Sequence, residues 1–478
     1  MMQTSNQLKK NSLGLWSIIF FVIAAASPLT GVVGAVPVAF FAGNGAGVPG
    51  VFVLAGLILL VFSFGYVAMS RHIVNAGAFY SYIAIGLGRK CGVAGLKVAL
   101  LAYATIQLSV AAMFGFFAQM FVQEHFQINL PWWAYSLAML VTVMVLGVQK
   151  VELGGRLLGV LMLMEICVVL LTDMGLLAHR PASSLEFSSF LPSVATHGAM
   201  GVALIFAIGS FVGFEATAIY SEECRNPEKA IPRATLLAVI LITVFFAFTT
   251  WVFVQSCGAA QVAALASKDP GHFVFQLAHQ ALGQWAVEAM SVLLITSLFA
   301  ATQAFHNTMS RYLFVMGREG FMWSGLATIH KIHGTPYVAS TIQTAVMLLA
   351  VLVAAVARLD PMLSVFPFMS AISTMSILLL QGAVSVAVFM FFLRNPRLGV
   401  SVWSARIAPV LATVCMFGAL AKVIQNLDVM SGSSSPLIFL LPYLVFGVAL
   451  LGYLLAVLLN RFFPERYARL GQLVESLD

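Results

Sequence analysis

Apolar runs of about 20 residues recur along the whole chain, and short polar breaks separate them. In lipid the backbone N–H and C=O groups find no water, so a segment that spans a bilayer must be a helix or part of a closed β-barrel. The runs are continuous and do not alternate between polar and apolar residues, which excludes the barrel pattern. With 61% hydrophobic and only 9% charged residues, the chain is predicted to be an all-α membrane protein.

The apolar runs predict twelve transmembrane helices, with no soluble domain between them. Numbered 1 to 12 in chain order, the predicted spans are residues 14–42, 48–69, 93–122, 132–148, 155–178, 199–221, 233–256, 285–316, 337–357, 363–393, 405–425 and 436–460.

The basic residues predict the orientation of these spans. With the N-terminus in the cytoplasm, all but four of the 24 Lys and Arg residues lie on the cytoplasmic side, as the positive-inside rule requires. The four exceptions are Arg180, Lys268, Arg358 and Lys422. This distribution accounts for the net charge of +7 without nucleic acid as a partner. We expect a protein of the cell (inner) membrane with residues 1–13 and 461–478 in the cytoplasm.

Spans 1 and 6 both contain residues that interrupt a helix. Span 1 carries Ser-Pro-Leu-Thr-Gly at 27–31, and span 6 carries Gly-Ser-Phe-Val-Gly at 209–213. Proline removes a helical donor, and glycine tolerates non-helical angles. Interruptions in corresponding positions of two halves indicate a transporter built of inverted repeats. We therefore predict a first repeat at 14–178, an inverted second repeat at 199–393 and two additional helices at 405–460. The alternative is that Gly and Pro, which are common in membrane helices, only kink these spans.

Two facing breaks suit an α-amino acid as the substrate. A break exposes amides at the start of one half-helix and carbonyls at the end of the other, each end with roughly half a charge. The amides of 27–31 suit a carboxylate, and carbonyls near 24–26 and 208–211 suit an ammonium group. No cofactor and no resident metal are predicted.

Several segments of the chain resemble the amino acid–polyamine–organocation superfamily. The segment GFEATAIYSEECRNPEKAIPRA resembles the family's sixth-span signature, in which G-x-E precedes an N-P-x-x-x-I-P-R loop. NAGAFYSYIAIGLG resembles its first cytoplasmic loop, RYLFVMGREG the end of its eighth span and TPYVA the start of its ninth. These segments occur in the family's order and cover roughly residues 14 to 395.

The resemblance implies alternating access around a site lined by spans 1, 3, 6, 8 and 10. Gly209 stands where some relatives carry a large aromatic residue, so a bulky substrate side chain has room there. The first break departs from the glycine-serine-glycine of many relatives, which leaves the choice of carboxylate donors open. The substrate-binding residues that the resemblance implies are Ser27, Thr30, Gly31, Tyr103, Gln107, Gly209, Ser210, Phe211, Phe305, Ser370 and Thr374.

Glu215 begins the second half of span 6. A charged acid at mid-bilayer costs about 2.5–3.5 kcal/mol on insertion scales, and a helix N-terminus returns about 0.3–1 kcal/mol of this. Two interpretations remain open. Glu215 bonds free amides at the breaks and holds spans 1 and 6 together, or it changes its protonation during transport and couples transport to protons.

Glu165 in span 5 stands where several members of the family carry a lysine whose ammonium replaces a sodium ion. Removal from water disfavours a charged carboxylate, so Glu165 is a second candidate for carrying the coupling proton. Alternatively its oxygens bind sodium together with Thr302 of span 8, or it makes a polar contact between helices. Asp173 and Glu288 are expected to be solvated near the outer interface. His306 either lines the pathway or bonds a neighbouring helix.

These observations favour a secondary transporter of amino acids or related amines. Neutral substrates are favoured because the pocket offers no obvious acid besides Glu215 for a cationic side chain. Proton-coupled uptake is the first choice, with exchange for a counter-substrate and sodium symport as alternatives. A membrane-embedded enzyme is disfavoured, since the chain has no H-E-x-x-H and no G-x-S-x-G motif. A receptor would not require matched broken helices.

Overall fold

The computed structural model describes residues 26–73, 78–149, 155–181, 185–215, 227–318, 320–430, 436–464 and 467. Within these ranges all regular secondary structure is helical, and no strand occurs. The predicted N-terminal segment 1–13, the first part of span 1 and residues 216–226 after Glu215 lie outside the described residues. The predicted contributions of Ala24 and Ala25 to ammonium binding lie outside them as well.

The helices that form the body of the protein are labelled in chain order. They are α1 (residues 28–44), α2 (Val48–Ser70), α3 (Ala78–Leu87), α4 (Arg89–Phe126), α5 (Trp132–Gln149), α6 (Gly155–Ala178), α7 (Met200–Gly209), α8 (Pro227–Cys257), α9 (Val262–Lys268), α10 (Phe273–Leu282), α11 (Gln284–Arg318), α12 (Tyr337–Val356), α13 (Phe366–Arg394), α14 (Ala408–Gln425) and α15 (Leu441–Phe462).

Ten helices in the described part of the chain are long and apolar enough to cross a membrane, judged by length and composition. The first of them, Pro28–Ser70, is a continuous run that includes predicted span 2 and the part of predicted span 1 from residue 28 onward. Predicted span 6 is represented by the shorter apolar helix α7, because residues after Glu215 are not described. The total of twelve and the five-plus-five repeat remain predictions.

Helix α4 lies at the centre of the bundle. It contacts α3, α5, α11, α13 and α15, and 72% of its apolar window is buried inside the protein. The corresponding window of Ile438–Phe462, which includes α15, is only 17% buried and is covered with exposed leucines. This gradient from a buried centre to an apolar periphery is what a helical protein surrounded by lipid requires.

The start of α1 is an interruption of the backbone. Ser27 adopts a left-handed conformation (φ 43°, ψ 74°), which is costly for a residue with a Cβ atom. Pro28 then occupies the first helical position, where its missing N–H costs no intrahelical bond. Beyond it α1 contains two widened π turns, Gly31–Ala35 and Ala39–Asn44. The chain is therefore non-helical at the first residue of the predicted break.

The end of α7 is the second interruption. The helix stops at Gly209, and residues 210–215 form turns in which Gly213 has a positive φ of 113°. A side chain at residue 213 would strain this turn, which explains the glycine there. Helix α7 contacts α2, α13, α14 and the far end of α1. The two interruptions meet at a cavity, which Ser27 and Gly209 both line.

Candidate functional site

A cavity of about 50 Å³ lies between α1, α4, α7, α11 and α13. Seven of the eleven predicted substrate-binding residues line it, namely Ser27, Thr30, Gly31, Gly209, Ser210, Phe305 and Ser370.

The cavity has one polar and one apolar set of lining groups. The polar set comprises the residues at the two breaks together with Ser109 and Ser370, whose hydroxyl oxygens are 2.8 Å apart. The apolar set includes Ile106, Val110 and Met113 of α4. No charged side chain is among the described lining residues.

The glycines at the cavity differ in the space beside them. A Cβ atom added to Gly31 would lie 2.5 Å from Cζ of Phe246, whose ring is stacked on Phe52. Only glycine therefore allows this approach between α1 and α8. A Cβ atom on Gly209 would meet only Thr374 Oγ1, at an ordinary 3.7 Å. A methyl group would therefore fit at residue 209 without displacing a neighbour, and the room predicted there for a bulky substrate side chain stays a prediction.

Amides at the start of α1 already have acceptors. The amide of Leu29 donates a hydrogen bond to the carboxylate of Glu165, and that of Gly31 donates to the carbonyl of Ser27 at 3.1 Å. Pro28 has no N–H. In this conformation these three residues of the predicted 27–31 set have no amide to offer a ligand.

Glu165 is connected to the cavity through Ser297. The Ser297 hydroxyl donates to Glu165 Oε2 at 2.8 Å, and Thr30 Oγ1 donates to the Ser297 oxygen at 3.2 Å. Thr30 itself lines the cavity. Thr302, the predicted sodium-binding neighbour, instead donates its hydroxyl to the carbonyl of Leu298 in its own helix. The hydrogen bonds around Glu165 therefore join α6, α11 and the broken start of α1.

Glu215 is fully buried and both of its carboxylate oxygens accept hydrogen bonds. Tyr103 donates its hydroxyl to Oε1 at 2.8 Å, and the amide of Gly213 donates to Oε2 at 3.1 Å. Tyr66 donates to the backbone carbonyl of Glu215 at 3.0 Å. Glu215 thus holds the second interruption against α4 and α2; the bonds described join span 6 to these helices and do not involve span 1.

Four predicted substrate-binding residues do not line the cavity. Tyr103 donates its hydroxyl to Glu215, as described above. Gln107 is hydrogen bonded to Gln343 of α12, Thr374 donates to the carbonyl of Ile205 at 3.0 Å, and Phe211 is buried among core side chains. In this conformation these side chains support the walls of the site.

The structure also shows the surroundings of two other polar residues, Asp173 and His306. The expectation that Asp173 is solvated is wrong: it is fully buried, and Thr249 donates to its Oδ2 at 2.7 Å. His306 Nε2 is hydrogen bonded to Ser340 of α12 at 2.7 Å, which matches the alternative of a bond to a neighbouring helix. Among the described residues, no group of three or more His, Cys, Asp or Glu side chains could hold a metal ion.

Comparison with known proteins decides the family. The family model described as "Amino acid permease" matches residues 13–451, which is most of the chain and includes both interruptions and the cavity. The chain belongs to the amino acid permease family. It is therefore a multi-pass membrane protein of the amino acid–polyamine–organocation superfamily, as the resemblance predicted.

Individual relatives within the permease family and its neighbours are distant. The chain is 26% identical over 222 residues to the branched-chain amino acid permease BcaP of Bacillus subtilis, covering 44% of this chain and 43% of that protein. It is 26% identical over 305 residues to the methylthioribose transporter of Bacillus subtilis, covering 60% and 63%. It is 24% identical over 284 residues to the aromatic amino acid transport protein AroP of Salmonella typhimurium, covering 57% and 59%. The matched part thus spans about 43% to 63% of the length of these relatives, each of which is named as a permease or transporter.

Sequence reasoning missed several residues of the site in this permease. Ser109 and Met113 line the cavity, and both fall on the helical face of Ile106, which differs from the face of the predicted residues Tyr103 and Gln107. Ser297 bonds Glu165 from another helix 132 residues away, and no local pattern signals such a pair.

Proposed function

We propose that this chain is a secondary active transporter that carries neutral amino acids, or closely related amines, across the cell membrane by alternating access. The cavity between the two interruptions carries this proposal, because it combines residues of both interruptions, hydroxyl groups and an apolar wall without a charged lining side chain. Such a site matches a zwitterion with an uncharged side chain. A cationic or anionic side chain would lack a partner of opposite charge there.

The substrate carboxylate is proposed to bind next to the hydroxyl groups of Ser27 and Thr30 at the start of α1, where it would compete with the present acceptors of the amides there. The partial positive charge of the helix N-terminus favours an anion at that place. The ammonium group is proposed to bind at the end of α7, where the last carbonyls carry the opposite partial charge. Ser210 lies at this end and lines the cavity. The side chain then extends along the apolar wall from α4.

The relatives support amino acid side chains without charge as the substrate class. Two of the three relatives described above are named for branched-chain and for aromatic amino acids. The apolar wall formed by Ile106, Val110 and Met113 favours an aliphatic side chain of the first kind. A sugar derivative such as methylthioribose carries no carboxylate for the start of α1 and fits this arrangement less well.

Proton coupling through Glu165 is the proposed driving mechanism. Glu165 is linked through Ser297 to Thr30 at the cavity, so a substrate that moves the start of α1 changes the hydrogen bonds of this acid. Sodium symport is the weaker alternative, since Thr302 bonds its own helix and is not a partner of Glu165. Exchange against a second amino acid would use the same cavity without net proton movement.

We further propose that the protein lies in the inner membrane, crosses it twelve times and has both termini in the cytoplasm. The ten candidate spans, the short helix α7 and the division of Pro28–Ser70 into α1 and α2 support that number. The position of most Lys and Arg residues on one predicted side supports the orientation. The matched interruptions near Ser27 and Gly209 support two inverted five-span repeats.

Uptake by proteoliposomes tests the proposed function. The purified protein should accumulate labelled leucine when the outside is more acidic than the inside, with no requirement for sodium. Gly209→Trp should block this uptake, because the indole fills the space beside Gly209, whereas Gly418→Trp on the exposed surface of α14 should not. Failure of every neutral amino acid to enter the vesicles under any ion gradient would reject the proposal.

A further inference from the structure

We propose that Met113 of α4 limits the size of the substrate side chain that the cavity accepts. Its end occupies the space left by the missing side chain of Gly34 in α1, which we call the notch. This inference rests on the proposed function and deepens it. It assigns to the same cavity a preference for neutral amino acids with small or branched aliphatic side chains. Aromatic side chains are excluded while Met113 keeps its place.

The contact between Met113 and Gly34 is unusually close. Both residues are buried, and the terminal methyl group of Met113 occupies the space that a Cβ atom on residue 34 would need. The sulfur of Met113 lies 3.0 Å from the same position. Any side chain at residue 34 would therefore displace Met113.

The notch belongs to the face of α1 that borders the cavity. Gly31 and Ala35 lie on this face next to Gly34, and both line the cavity. At Gly31, Gly34 and Ala35 this face thus carries almost no side-chain volume of its own. Met113, which also lines the cavity, supplies the missing volume from the opposite helix.

A methionine side chain can form a cavity wall whose position changes at low energetic cost. Its unbranched side chain has three rotatable bonds and a polarizable sulfur, so it fills irregular spaces and changes its path at low cost. In this structure its end lies against α1. If the notch were filled, the end of Met113 would be displaced toward the cavity that it already lines, and would narrow it. If Met113 were truncated, the notch would become part of the cavity.

Opposite substitutions should therefore change substrate preference in opposite directions. Met113→Ala should raise the preference for phenylalanine over alanine by about tenfold or more, since one extra or missing methylene group in an apolar pocket changes discrimination by about 10–200-fold. Gly34→Ala should lower the preference for leucine over alanine by about tenfold. The double variant should return toward the wild-type ratios, because the new methyl group fills part of the space that Met113 leaves.

The measurement is inhibition of labelled alanine uptake by unlabelled alanine, leucine and phenylalanine in proteoliposomes. Ratios between inhibitors cancel differences in the amount of active protein. Met120→Ala is the matched control, because Met120 lies two turns further along α4 and does not line the cavity. It should leave all ratios unchanged.

Several outcomes would overturn the inference. Wild-type ratios in Met113→Ala would do so, even if Gly34→Ala fails to fold, and so would a shift of both single variants in the same direction. A shift in Met120→Ala equal to that in Met113→Ala would show a general effect of helix α4. Absence of both uptake and ligand-induced thermal stabilisation in the wild type would instead reject the proposed function, and this inference with it.

Discussion

At the scale of single residues, Glu215 shows how a buried acid is accommodated inside an apolar protein. Both carboxylate oxygens accept hydrogen bonds, one from Tyr103 and the other from the amide of Gly213. The acid therefore stabilises the turn at the end of α7 and receives its own compensation from the same turn. This arrangement favours a structural role for Glu215, while Glu165 is the acid that communicates with the cavity.

Replacement of the two acids should separate these roles. Glu165→Gln should abolish the dependence of uptake on the proton gradient while exchange of internal for external substrate continues. Glu215→Gln should lower stability, because the glutamine NH2 group cannot accept one of the two hydrogen bonds and the remaining oxygen accepts more weakly than a carboxylate. Bonds to charged groups contribute about 1.5–3 kcal/mol. The measurements are uptake against external pH and the unfolding midpoint in detergent. A Glu215→Gln protein with normal stability and no pH dependence would contradict this assignment.

At the scale of elements, the broken helices are the part of the fold that the sequence predicted best. Proline, glycine and serine act on their own backbone, so Ser27–Pro28 and Gly209–Gly213 could be located without knowledge of any partner. Contacts between elements could not be located in this way. The partner of Glu165 is on α11, and the partner of Asp173 is on α8. Position along the chain placed Asp173 near water, whereas packing of α6 against α8 buries it.

The junction of α1, α6 and α11 should depend on one hydroxyl group. Ser297→Ala removes the bond to Glu165 and the acceptor for Thr30, at a cost of about 1–3 kcal/mol for the buried groups left unpaired. We expect reduced apparent affinity for substrate and a shifted pH dependence of uptake. Ser297→Thr, which retains the hydroxyl, should restore both. Ser291→Ala is the control, because Ser291 donates only to Val287 in its own helix. Equal effects of Ser297→Ala and Ser291→Ala would exclude a specific role for Ser297.

At the scale of the whole molecule, residues 258–283 form a segment that joins α8 to α11 and includes α9 and α10. Phe273 of this segment contacts Phe40 of α1, with ring centroids 6.1 Å apart, and Phe275 contacts Phe117 of α4 at 6.3 Å. His272 forms a polar contact between this segment and the end of α4, because its Nε2 is 3.4 Å from Glu124. Its Nδ1 is 2.8 Å from Asp269 of the segment itself. The segment thus rests on the two helices that line one side of the cavity.

The contacts of His272 with Asp269 and Glu124 should make the stability of this segment depend on pH. Partial burial lowers the pKa of His272, but the carboxylates of Asp269 and Glu124 outweigh burial and raise it above its ordinary 6.5. A raised folded-state pKa means that the added stability is fully present below the unfolded-state pKa and is lost as pH rises through the folded-state pKa. His272→Gln should therefore lower the unfolding midpoint most near pH ~5 and leave it unchanged near pH ~9, a range that brackets the ordinary histidine pKa. The effect should be small, since exposed ion pairs contribute about 0–1 kcal/mol.

His279→Gln, on the exposed side of α10, is the control. A midpoint difference that is constant over this range, or one that His279→Gln reproduces, would show that titration of His272 does not stabilise the segment.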